Sequence, residues 1–223
     1  MIDELLVARL EAKPLTAVVD YYAERLPHNA HAVAFLQRRR LAAGSELRVG
    51  FADRTLGTKI PPSRRKAGLQ LRSRLTELGI LRANGRELFR GLVNVPLTDA
   101  SGEEVTGIYG LRIEASQGET ETTLGSGIFN AAALNRFNEI ILCASVLDAW
   151  TFCGSGCKNA VAVSGVELSS ELTETVDRVL MAGQFDASLF AGKELLQIIL
   201  PEGMGVADYV LKNKTLEDPL GPR

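Results

Sequence analysis

The chain has 223 residues, 46% of them hydrophobic and 23% charged, with 25 Lys and Arg against 27 Asp and Glu and a formal net charge of −2. That length allows one large or two small domains with a sizeable core, and the composition excludes a chain that is disordered beyond its ends. No segment approaches the roughly eighteen apolar residues of a membrane span, and the start Met1-Ile2-Asp3-Glu4-Leu5-Leu6 carries acids and no basic leader, so a cytoplasmic protein without a membrane partner is expected.

In chain order, residues 3–26 carry Leu5, Leu6, Leu10, Leu15, Val18, Val19 and Tyr22 around Pro14. This spacing predicts two short helices or one kinked helix, ended by Pro27. His31 to Leu41 repeats the helical spacing with Val33, Phe35, Leu36 and Leu41, and Arg38, Arg39 and Arg40 fall near its end, where cations suit the helix dipole. Phe51 to Thr58 reads as strand and turn. Lys59 to Lys66, with two prolines, reads as extended, so Arg64, Arg65 and Lys66 should project into solvent. Ala67 to Leu81 is predicted helical, with Gly79 near its C-terminus and Arg72, Arg74 and Arg82 extending a basic face.

Leu92, Val93, Val95 and Leu97 form one predicted strand, Asp99 to Gly102 a turn, and Val105 to Ile113 a return strand. Ser116 to Ser126 is rich in Ser, Thr, Gly and Glu and lacks apolar periodicity, which marks it as the best linker. From Phe129 onward, Ile140 to Cys143, Val161 to Val163, Val179 to Ala182 and Leu196 to Leu200 are short apolar strands alternating with helical pieces, the pattern of a small α/β domain with a mostly parallel sheet. Trp150, Phe152 and Phe89 read as core aromatics. The organisation expected is a helical segment 1–32, a basic α+β lobe 33–115, a linker 116–127, an α/β domain 128–212 and a frayed tail 213–223.

Charge follows this division. Residues 33–115 hold 15 Lys and Arg against 8 Asp and Glu, leaving 10 against 19 elsewhere. Such a split is the footprint of a polyanion-binding lobe, or a solvated basic face. The three cysteines, Cys143, Cys153 and Cys157, are odd in number and lie in or near apolar segments, which predicts reduced thiols. Cys153-x-x-x-Cys157 is not a structural zinc pattern, and His28 and His31 are remote in sequence.

Asn138 to Trp150 resembles the opening strand and helix of a Toprim domain, the metal-binding domain of primases and topoisomerases. There a strand delivers a glutamate at its carboxyl end, an aspartate follows four residues later, and a later strand ends in Asp-x-Asp; these acids hold Mg²⁺ for phosphoryl transfer. In this sequence the glutamate position is Ala144, the following aspartate is Asp148, and Asp-x-Asp reads Gln184-Phe185-Asp186. Asn159 to Val166 resembles the second Toprim strand, and Leu200 to Tyr209 resembles a Pro-x-Gly-x-Asp segment whose aspartate is replaced by Gly205. Upstream, Phe89 to Asp99 with Gly107-Ile108-Tyr109-Gly110-Leu111-Arg112 resembles the segment preceding Toprim in bacterial replicative primases. Arg54-Thr55-Leu56-Gly57 and Pro61 to Gly68 resemble primase-like proteins of mobile elements.

This resemblance implies a mixed α+β primase-like basic lobe followed by a shortened Toprim-like domain, and a Mg²⁺ site impaired at two acids. Asp148 and Asp186 are the residual metal candidates, though each also reads as a helix-terminus acid. Glu139 lies too early in its strand to replace the missing glutamate. Arg90 and Arg112, then Arg64, Arg65 and Lys66, are the nucleic-acid contacts that the resemblance implies. The implied function is a nucleic-acid-binding accessory protein in the DNA replication of a mobile element, inactive alone as a nucleotidyltransferase. The alternatives are an active Mg²⁺-dependent primase and a structural subunit docking a helicase or polymerase. Implied partners are single-stranded DNA or a DNA/RNA hybrid, a helicase, a polymerase, and a separate zinc-binding primase subunit. The stretches between Gly165 and Arg178, and between Asp186 and Leu200, look short for parallel crossovers, which would leave part of one sheet face uncovered.

Overall fold

The computed structural model describes residues 2–113, 121–167 and 174–212. It divides into two compact units, the first comprising residues 1–35, 44–96 and 105–125, the second residues 36–43, 97–104 and 126–223.

The first unit opens with helices α1 (Glu4–Ala12) and α2 (Pro14–Arg25). Asp3 caps α1 by accepting the Leu6 N–H at 3.0 Å, and Pro14 starts α2, where its missing N–H costs nothing. The two helices bury Leu6, Leu10, Val18, Val19 and Tyr22, and are pinned on their outer side by Arg9 on Asp20 at 2.9 Å. Helix α3 (Ala30–Arg38) follows, then strand β1 (Gly50–Phe51), helix α4 (Leu56–Lys59) and helix α5 (Lys66–Glu77). Strand β1 passes so close to α2 that a β-carbon on Gly50 would stand 2.7 Å from Tyr22 backbone. Strands β2 (Leu92–Thr98), β3 (Val105–Arg112) and β4 (Glu121–Gly125) lie in the order β4-β3-β2, and β1 pairs antiparallel with β2. Leu71, Leu75, Ile80, Phe89, Leu92 and Ile108 complete a core with α1 and α2, each large side chain contributing about 1.5–3 kcal/mol of burial.

The second unit takes the end of β2, where Thr98 pairs with Ile128 of β5 (Gly127–Phe129). Helix α6 (Ala132–Arg136), β6 (Glu139–Cys143), helix α7 (Val146–Gly154), β7 (Ala160–Ser164), β8 (Arg178–Ala182), β9 (Glu194–Gln197) and helix α8 (Val206–Lys212) follow. The order is β5-β7-β6-β8-β9, with β7, β6, β8 and β9 mutually parallel and β5 antiparallel to β7. Ser145 caps α7 by accepting the Asp148 N–H at 3.1 Å. Trp150 is fully buried and donates Nε1–H to the Ala42 carbonyl at 2.7 Å, and Gly154 packs so tightly there that a β-carbon would stand 1.8 Å from the Arg40 carbonyl oxygen. Residues 36–43 thereby belong to this unit. Cys143 is buried, and burial raises its thiol well above its ordinary value; none of the three cysteines is in a disulfide.

The α/β class, the paired N-terminal helices, the hairpin strands and the mostly parallel sheet are as the sequence predicts. Four details differ. Helices α1 and α2 form part of the first unit's core rather than a separate segment. The expected linker 116–127 contains β4, which pairs with β3 from Gly107↔Gly125 to Leu111↔Glu121; Thr122 and Thr123 are β-branched and suit a strand. Residues 116–120 of that stretch, and the tail from 213, lie outside the described residues. The last strand is Glu194–Gln197 rather than Leu196–Leu200, because its apolar run fits either register and the pairs Val179↔Leu195 and Met181↔Gln197 decide it. Finally, of the stretch read as strand and turn, Phe51 to Thr58, only Phe51 is in a strand before α4 begins at Leu56.

Candidate functional site

The basic segment between α4 and α5 is a fixed platform. At its start, Thr55 donates its N–H to Asp53 Oδ1 at 3.1 Å, and the Thr55 hydroxyl bonds both Asp53 and Tyr21. Glu87 is buried and accepts the Tyr22 hydroxyl at 3.1 Å, with further hydrogen bonds from the backbone of Gly57 and Leu56. In mid-segment, Arg72 donates Nε–H to the Pro61 carbonyl at 2.8 Å and Nη2–H to Gly57 at 2.7 Å. At its end, Gly68 lies against the Pro61 and Pro62 carbonyls, where a β-carbon would stand 2.3 Å from the Pro62 oxygen. Rigid elements on both sides thus hold a loop whose side chains point out.

Arg64, Arg65 and Lys66 are exposed on that platform, and Arg90 is exposed in a turn. None of their side chains makes an ion pair or hydrogen bond among the described residues, so their charge is available to a ligand. Arg112, at the end of β3, is half-buried. Two arginines expected on this face serve structure instead: Arg72 is the clamp just described, and Arg74 donates to the Glu11 carbonyl at 2.6 Å. Exposed Arg54 was not singled out as a contact by sequence reasoning; the Asp-Arg-Thr turn signal was available to find it.

In the second unit, Ala144 and Gln184 sit at the carboxyl ends of the adjacent parallel strands β6 and β8, the edge where open α/β sheets place ligands. The Ala144 N–H bonds the Ala182 carbonyl at 3.1 Å, and a β-carbon on Gly183 would stand 2.7 Å from Ala144 Cβ. Ala144 and Gln184 are exposed. Asp148 lies half-buried in the first turn of α7. Asp186 accepts the Ser188 N–H at 2.9 Å as the cap of a short 3₁₀ turn, and the Ser188 hydroxyl, then its N–H, hold that carboxyl below its ordinary value. Gly205 precedes α8 in open space. This donor set does not fit Mg²⁺: a methyl and a neutral amide stand at the strand ends, and no group of three or more His, Cys, Asp or Glu among the described residues is arranged to hold a metal.

Elsewhere in the second unit, Arg178 bridges Glu194 at 2.8 Å and Glu139 at 2.9 Å across the starts of β9, β8 and β6. The Glu194 and then the Glu139 hydrogen bond raise the guanidinium further. With Ile141, Leu180 and Leu196 from the same sheet face, this row lines an open groove. No helix among the described residues is long and apolar enough to cross a membrane.

No protein-family model and no curated protein matches the chain. Solved structures do. The Aquifex aeolicus primase, comprising zinc-binding and RNA polymerase domains, matches with a TM-score of 0.68 and 21% identity over 89% of this chain, which spans 56% of that protein's length. A DnaG primase catalytic domain bound to ssDNA gives 0.67 and 18% identity over 94% of this chain and 77% of that one. The E. coli primase catalytic core gives 0.64 and 18% identity over 87% and 74%. The fold of this chain is α/β and similar to that of the DnaG primase catalytic core.

Proposed function

We propose that this chain is a primase-derived accessory protein that binds single-stranded nucleic acid during DNA replication of a mobile element and does not synthesise primers alone. The observation that carries this reading is the pair of strand ends in which Ala144 and Gln184 stand where the resemblance calls for metal-binding acids. A primase nucleotidyl transfer needs Mg²⁺ to neutralise phosphate charge, and neither side chain supplies charge to hold the ion. The Toprim-like site is therefore degenerate in this reading.

The exposed Arg64, Arg65, Lys66 and Arg90 and the half-buried Arg112 of the basic lobe remain, and arginine forks suit phosphate oxygens and base faces. One similar protein is a DnaG catalytic domain bound to ssDNA, and another, from Mycobacterium tuberculosis, is in complex with double-stranded DNA carrying a 6-nucleotide overhang. A helicase, a polymerase or a zinc-binding primase subunit acting with it in the cytoplasm completes the reading.

The test is fluorescence anisotropy with labelled single-stranded DNA across a salt series, beside a primer-synthesis assay in Mg²⁺ and Mn²⁺. Binding that falls steeply with salt, ignores Mg²⁺ and weakens in the Arg64/Arg65/Lys66 triple alanine variant is expected, with no primer product. Primer synthesis by the isolated chain, abolished by Asp186→Ala, would establish an active primase instead.

A further inference from the structure

Arg54 is exposed, yet its backbone is tightly fixed. The hydrogen bond from Thr55 N–H to Asp53 Oδ1 closes a turn around it, and Arg54 is held at φ +74°, a region that glycine occupies freely and arginine does not. Its guanidinium lies over Gly91, where a β-carbon would stand 3.3 Å from Arg54 Nη2. Gly91, at φ +76°, is the third residue of a turn closed by the Leu92 N–H on the Phe89 carbonyl at 2.8 Å, which puts exposed Arg90 in the second position. The two segments are locked together by the Gly91 N–H on the Ala52 carbonyl at 2.9 Å and the Ala52 N–H on the Leu92 carbonyl at 3.1 Å.

The nearby acids are occupied. Asp53 accepts from Thr55, and Glu87 is buried against Tyr22. Neither Arg54 nor Arg90 has an ion pair or side-chain hydrogen bond among the described residues. The guanidinium of a strained arginine thus lies against the turn that carries a second exposed arginine. Planar forks match the oxygens of a phosphate, and a substituted Gly91 would push that of Arg54 away.

We propose that Arg54 and Arg90 form a two-arginine subsite for a single phosphate of a nucleic-acid backbone. This rests on the reading of the basic lobe as a polyanion binder and assigns a position within it.

The experiment measures single-stranded DNA binding across a salt series, and thermal melting, for the wild type, Arg54→Gly, Arg90→Ala, their double variant and the Arg64/Arg65/Lys66 triple alanine variant. Arg54→Gly is expected to weaken binding several-fold and to flatten the log–log salt slope by about 0.7, one single-strand phosphate contact, while its melting temperature holds or rises because glycine relieves the positive φ. The double variant is expected to lose less than the product of the single losses, because both arginines serve one phosphate. Unchanged affinity in Arg54→Gly beside a weakened triple variant overturns the subsite and leaves the lobe reading intact. A lowered melting temperature in Arg54→Gly makes Arg54 a structural residue, and multiplicative losses separate the two arginines; each overturns the proposal. A wild type that does not bind overturns both readings.

Discussion

The Tyr22 hydroxyl meets Glu87 Oε2 at 3.1 Å inside the first unit, tying α2 to a carboxylate that also receives the backbone of Gly57 and Leu56. Burial raises Glu87 above the ordinary glutamate range, and the Tyr22 hydrogen bond offsets part of that rise; burial also raises Tyr22 well above its ordinary value. Folded Glu87 therefore keeps its proton to higher pH than the unfolded chain does. Its contribution to stability is fully present below the ordinary glutamate range and is lost as pH rises through the raised value. Melting curves of wild type and Glu87→Gln against pH isolate this group: the wild type's advantage shrinks across that window and then stays constant. Tyr22→Phe, which leaves the buried carboxylate short of a donor, costs about 1–3 kcal/mol in denaturant melts at neutral pH.

Arg72 is expected to matter for order rather than for charge. Arg72→Ala removes both carbonyl clamps and destabilises by about 1–3 kcal/mol. Arg72→Lys restores the charge but not the fork, so recovery is partial. Hydrogen exchange at the amides of residues 57–60 checks this: faster exchange in both variants is expected, with the alanine variant fastest.

Two glycines make an internal control. Gly57, in α4, has nothing within 4 Å of a β-carbon, so Gly57→Ala is expected to stabilise by about 0.5–1 kcal/mol. Gly154→Ala drives a methyl into the Arg40 carbonyl and is expected to destabilise by about 1–3 kcal/mol. Chemical denaturation of the two variants should give shifts of opposite sign.

Restoring acids at the strand ends tests the metal reading. Ala144→Glu with Gln184→Asp places two new carboxylates on exposed positions, one four residues before Asp148 and the other two before Asp186. The wild type is expected to show no Mg²⁺-dependent stabilisation. The double variant is expected to gain about 1.4 kcal/mol at a tenfold excess over its Kd, read as a thermal shift. A wild-type shift of that size would contradict the reading.

The elements legible in the sequence are those whose apolar residues repeat with a clear period: α1, α2, α5, the β2 and β3 strands, and β6, β7 and β8. Helix α4 was not legible, because a four-residue helix has no period and its first amides are satisfied by Glu87, thirty or so positions away in the chain. Strand β4 was hidden by Ser, Thr and Gly neighbours that read as loop. At the site, residue type located the basic segment, but it could not separate Arg64, Arg65 and Lys66, which face solvent, from Arg72 and Arg74, which face backbone carbonyls. Direction comes from packing. For Asp186 the sequence offers both a metal-binding and a capping reading, and the side chain accepts the Ser188 N–H, a contact that is local in the chain.

Cys143 offers a use of a different kind. Its sulfur is enclosed and its thiol is held protonated, whereas Cys153 and Cys157 are half-buried. Thiolates are the species that react with alkylating reagents, so Cys143 should modify only when the surrounding sheet opens. The chain thus carries its own clock for opening of the parallel sheet, readable by mass spectrometry without any introduced label.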